Sequence, residues 1–83
     1  SDLYRLRLHL LVYPNPAMDH LVLSDTDAAV LLIYDELGKC VYRQTAPLSS
    51  VISISGFDPG LYLLILRKDG YDTFQRFQKT DMP

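Results

Sequence analysis

The sequence is poor in the residue types on which cross-linking and catalysis usually depend. Cysteine occurs once, at Cys40, so no internal disulfide can form. Small secreted domains ordinarily rely on several, so either this fold manages without them or it belongs to a larger protein. Histidine occurs twice, as His9 and His20, and tryptophan is missing. A zinc site needs three or four convergent ligands, and Cys40 is not spaced with either histidine in a ligand motif. Glycine is scarce at four residues, and no phosphate-cradling Gly-rich loop exists. Eight Lys and Arg against ten Asp and Glu leave a net charge of -2, without the concentrated positive charge that nucleic-acid binding requires. The longest apolar run, 28–34, falls far short of the ~20 residues that cross a bilayer as a helix. No signal-peptide pattern opens the chain, which says little if the chain is a fragment, since a C-terminal piece would be carried by a signal at the other end of its parent.

What is present is an apolar pattern with a period of two. Eighty-three residues make one domain, and a domain of this size has little core to spare. Seven short apolar segments separated by turn residues predict strands near Leu8–Tyr13, Asp19–Ser24, Ala28–Tyr34, Lys39–Thr45, Val51–Ser55, Leu61–Arg67 and Phe74–Lys79. No segment carries a helical stripe. The expected fold is all-β, an immunoglobulin-like antiparallel sandwich of about seven strands. Leu21, Leu23, Ile33, Ile52, Ile54 and Leu63 are its expected core. The runs 28–34 and 61–66 are apolar on both alternating faces, which places them mid-sheet or against a second body.

The turns are individually legible. In Tyr13-Pro14-Asn15-Pro16, two prolines lack the donor that a central strand needs, and the phrase carries the chain from one strand to the next. Asp35-Glu36-Leu37-Gly38-Lys39 predicts a tight hairpin, with the Asp35 carboxylate accepting from turn amides and Gly38 supplying a positive φ. Asp69-Gly70 predicts another. Pro59-Gly60 fits a type II turn, and Tyr62, opening the next strand, fits a tyrosine corner whose hydroxyl bonds backbone a few residues upstream.

Candidate chemical groups have plainer structural readings. His9 and His20 alternate with apolar neighbours and read as outward-facing strand residues. Asp25-Thr26-Asp27 reads as a solvated turn, since calcium needs six to eight oxygens. Asp35 and Glu36 have no matched partner for acid–base work. Tyr34, Tyr42, Tyr71, Phe74 and Phe77 suit core and turn packing better than a sugar-binding surface. Cys40 reads as a half-buried structural thiol. The polar terminal strand ending in Arg76 and Lys79 reads either as a protected sheet edge or as an edge offered to a receptor by strand addition. No catalytic, cofactor or metal residue is assigned, and the domain is expected not to be an enzyme.

Tyr13-Pro14-Asn15-Pro16-Ala17, then Ile33 to Lys39 with Asp35, Gly38 and Lys39, then Gly60 and Tyr62, and finally Phe74, Arg76, Phe77 and Lys79 occur in that order. Together they resemble the type A C-terminal sorting domain of the type IX (Por) secretion system. The terminal phrase departs from the family at Gln78, and four residues, 80–83, trail behind it. The resemblance implies an all-β sandwich acting as a non-catalytic secretion signal. It implies outer-membrane translocon components as readers, with the terminal strand at Phe74, Arg76, Phe77 and Lys79 as the part recognised. It implies a covalently linked cargo domain upstream, and a sortase-like peptidase that attaches cargo to surface lipopolysaccharide or releases it. The implied location is the surface of a Gram-negative cell, or outside it, after periplasmic transit. The expected organisation is 1–9 as linker or added strand, 10–79 as the sorting domain and 80–83 as a short tail. The alternative class is an immunoglobulin-like spacer or adhesion module, with glycan as its conceivable ligand.

Overall fold

The computed structural model describes residues 11–81. The linker segment and the start of the first predicted strand, with His9, lie outside these residues. Seven strands follow in order: β1 (Val12–Tyr13), β2 (His20–Leu23), β3 (Val30–Tyr34), β4 (Cys40–Thr45), β5 (Val51–Ser53), β6 (Gly60–Lys68) and β7 (Tyr71–Lys79). They form a three-stranded sheet, β1-β2-β5, and a four-stranded sheet, β4-β3-β6-β7. All pairs of named strands run antiparallel. The architecture is an all-β sandwich, with no helix among the described residues.

The two doubly apolar runs are β3 and β6, the central strands of the larger sheet. Their inward residues pair as Leu31 with Leu66 and Ile33 with Leu64. Leu21, Leu23, Ile52 and Ile54 complete the core from the smaller sheet's side. Leu63 does not belong to it. Tyr62 turns inward, and because side chains alternate faces along a strand, Leu64 and Leu66 follow it. Leu63 therefore faces away, half-buried, opposite Tyr34. A corner tyrosine and a core Leu63 are mutually exclusive on one strand.

The tyrosine corner is present. The Tyr62 hydroxyl donates to the Asp58 carbonyl at 2.6 Å. Its ring stacks on Phe77 with centroids 5.4 Å apart, and tilts against Phe57 at 5.2 Å. Gly60, at φ +153°, is far from the roughly +80° of a type II turn. The turn type differs from expectation, although the backbone there still favours glycine. Asp69 and Gly70 both have positive φ, 52° and 80°, as the primed hairpin turn requires. So tight a loop pairs Lys68 directly with Tyr71. β7 accordingly starts three residues before the predicted Phe74, through a stretch with no apolar alternation to announce it.

Tyr62→Phe should keep the fold and lower stability by about 1 kcal/mol, the net worth of one hydrogen bond. The urea midpoint should drop with the m-value unchanged. Burial pushes the Tyr62 hydroxyl above its ordinary value of 10.0, with Asp58, Asp35 and Glu36 adding to the shift and Lys79 opposing it. A raised folded value means that its stabilisation is complete below the ordinary value and is lost as pH rises through the folded one. The stability gap between wild type and Tyr62→Phe should therefore close above pH 10.0.

Candidate functional site: the terminal strand and its clasp

β7 is the outermost strand of the larger sheet, and alternation splits its residues into two sets. Phe77 and Lys79 point inward and are buried. Phe74 and Arg76 point outward and are exposed. Lys79 corrects the reading of an exposed basic end, because its side chain is only 2% accessible. Its stem fills the end of the core, and its Nζ donates to the Asp81 carboxylate at 2.6 Å. A lysine fits there because a four-carbon stem packs like an aliphatic residue while the ammonium reaches a partner.

The free edge of β7 is also not simply open. The segment holding the first motif lies along it. Ala17, fully buried, donates its N–H to the Gln78 carbonyl and accepts from the Thr80 N–H, both at 2.8 Å. That makes a parallel bridge between Ala17 and Lys79. Asn15 imitates a strand with its side chain: its Oδ1 accepts from the Gln78 N–H at 2.9 Å, and its Nδ2 donates to the Arg76 carbonyl at 3.4 Å. Prolines on either side leave Asn15 without N–H neighbours that could compete for those partners. Further along, Gln75 reaches into the seam between the sheets. Its Oε1 accepts from the Leu11 and Val12 N–H groups, and its Nε2 donates to the Val12 carbonyl at 2.9 Å. Between Arg76 and Thr80, the strand-addition surface expected of β7 is thus occupied by the chain itself.

The middle and third motifs meet at the same end of the larger sheet. Asp35 Oδ1 accepts from the Leu37 and Lys39 amides at 3.0 and 2.9 Å, and Gly38 sits at φ +83°. Lys39 contributes its backbone, its carbonyl accepting from the Asp35 N–H. Glu36 Oε1 accepts from the Leu61 N–H at 2.9 Å. A Cβ on Gly60 would come within 3.3 Å of that oxygen, so glycine there also makes room for the contact.

Other candidate groups are dispersed. Tyr42 packs against the core and Phe77 lies in it, whereas Tyr34, Tyr71 and Phe74 lie elsewhere, so the five aromatics share no surface. Cys40 is exposed rather than half-buried, because the register shift between the Ile33–Tyr42 and Tyr34–Cys40 pairs takes it off the inward face that Tyr42 and Gln44 share. Asp25 and Asp27 flank Lys68 Nζ, each at 3.4 Å. Asp25 is lowered chiefly by the Asp27 amide it accepts from, with Lys68 assisting. His20 is exposed. Among the described residues, no group of three His, Cys, Asp or Glu is placed to hold a metal ion, and no helix is long and apolar enough to cross a membrane.

A protein-family model described as "Secretion system C-terminal sorting domain" matches residues 11–80. The chain belongs to that family. Comparison with curated proteins gives no match. Membership makes the domain a type IX secretion sorting signal and implies contact with the secretion machinery and export to the surface or beyond. Within the sorting domain, Gln75 and Glu36 are the structural residues that motif reading missed. Gln75 had a signal, since counting back two from Phe77 puts its side chain inward. Glu36 had none, because its partner lies on another strand.

Terminal residues should separate by face. Arg76→Ala should change stability by less than about 1 kcal/mol, as for other exposed charges. Lys79→Ala should cost about 2 kcal/mol, at ~0.8 kcal/mol for each buried methylene lost. Equal urea midpoints for the two variants would contradict the inward placement of Lys79.

Proposed function

We propose that this chain is a non-catalytic C-terminal signal that takes a covalently linked upstream cargo across the outer membrane through type IX translocon components. Residues 10–79 act as the sorting unit, 1–9 as linker or added strand and 80–83 as tail. At the surface, a sortase-like peptidase then anchors or releases the cargo of a Gram-negative cell. The observation that carries this reading is the family match over nearly the whole sandwich. The geometry supports it, since each family motif is used to build the fold. Tyr13 to Ala17 clasp β7, Asp35, Gly38 and Lys39 close a hairpin, and Gly60 and Tyr62 turn the corner. A domain whose motifs all serve its shape is suited to being recognised as a shape. Of the terminal residues assigned to recognition, Phe74 and Arg76 face outward for direct contact, while Phe77 and Lys79 hold the strand in place.

A periplasmic reporter carrying an export signal and this whole chain at its C-terminus should reach the surface of cells with type IX machinery. The same reporter without the chain should stay in the periplasm. Surface labelling and protease accessibility distinguish the two. A fused reporter that remains periplasmic would reject the sorting role and favour the spacer module.

A further inference from the structure

The larger sheet has two faces, and the core uses only one. On the other face the strand register lays out two adjacent rows. One runs Arg43–Leu32–Ile65–Phe74 and the next runs Cys40–Tyr34–Leu63–Arg76. Five apolar or aromatic side chains thus form a continuous stripe across β3, β6 and β7, and Leu61 extends it at 53% exposure. Leu32, Tyr34, Leu63 and Ile65 are only half-buried, and Phe74 is 60% exposed. No described element covers them. Contiguous apolar surface of this kind, rimmed by polar groups, marks a contact site.

Charge on this face indicates what covers it. Arg67 stands in the neighbouring row and is already satisfied by Asp72, which it grips through two hydrogen bonds at 2.8 and 3.1 Å. Arg43 and Arg76, at opposite ends of the apolar rows, have no ion pair among the described residues. Strand and residue spacings put them about 15 Å apart. We propose that this face docks onto a protein surface whose apolar centre lies between two carboxylates, one for Arg43 and one for Arg76. The proposal rests on the sorting reading and assigns the contact with the secretion machinery to the sheet face rather than to the edge of the last strand.

Two other occupants fit less well. A second copy would bring apolar rows together, but the carboxylates beside those rows are already engaged. Asp72 is held by Arg67, and Asp35 and Glu36 by the Leu37, Lys39 and Leu61 amides, which leaves none of them free to receive Arg43 and Arg76. An anionic lipid surface would favour apolar tips projecting from a positively charged protein. This chain carries a net charge of -2, and its stripe is set flat within the sheet.

The test uses the reporter fused to the whole chain. Arg43→Asp with Arg76→Asp should lower surface reporter about tenfold or more, as expected when interface anchors are lost. Arg43→Lys with Arg76→Lys should retain export. Phe74→Ser, a second probe of the same face, should also lose it. Val51→Glu, at a similarly exposed site on the smaller sheet (54%), should not. Thermal melts of the purified chains should be unchanged, and Phe74→Ser decides the matter if the charge-reversed pair melts early. Normal export of the folded Asp pair and of Phe74→Ser would overturn the docking face while leaving the sorting role intact. Periplasmic retention of wild type would remove both. A photo-cross-linking benzoylphenylalanine at Phe74 should trap an outer-membrane protein in cells that export the reporter. A cross-link to a second copy, or flotation of the chain with phosphatidylglycerol vesicles, would overturn the proposed partner.

Discussion

The hydrogen-bonded seam between segment 11–17 and β7 is the constraint on which the rest of the domain depends. β1 belongs to the smaller sheet and β7 to the larger. Apolar contact alone would let two such small sheets slide, because hydrophobic attraction has no direction. Gln75 bonds the β1 backbone, Asn15 supplies the missing edge partner of Gln78, and Ala17 bridges backbone to backbone. Each bond contributes only about 1 kcal/mol net, but leaving a buried partner unmet costs about 1–3 kcal/mol. The seam therefore sets the relative position of the sheets, and with it the stack of Phe57, Tyr62 and Phe77 beneath. Without disulfides to supply the same restraint, this arrangement ties both ends of the described chain together.

The family motifs form two spatial pairs. The first motif meets the terminal strand, and the middle motif meets the third through Glu36 and Leu61. Residues far apart in sequence are thereby made mutually dependent. Among the described residues, several polar side chains are committed to backbone partners. Asp35 holds two amides of its own turn, and Asn15 and Gln75 hold strand edges.

Much of the fold was legible because turn chemistry and period-two patterning are local. Asp69-Gly70, Gly38 and the Tyr62 corner each announced a bend, and Leu21, Leu23, Ile33, Ile52 and Ile54 announced a buried face. Leu63 misled because both faces of β6 are apolar, and only the corner decides which faces inward. Lys79 misled through residue type, since a lysine suggests solvent but its stem lies under the sheet's end. Cys40 misled because a register shift in β4, invisible in the sequence, takes it off the face of Tyr42 and Gln44. The clasp on β7 was hidden for a different reason. It joins Asn15 to Gln78, and pairing across such a separation leaves no trace in local pattern.

Amide hydrogen exchange on the whole chain tests the seam most directly. If the clasp is an integral part of the fold, the N–H groups of Ala17, Gln78 and Thr80 exchange only when the domain opens globally. They should then fall in the same slow class as the inward core residues Leu64 and Leu66 of β6. Rapid exchange at those three amides, with the β6 amides still protected, would show a sandwich that stands without its seam, and the account would be wrong.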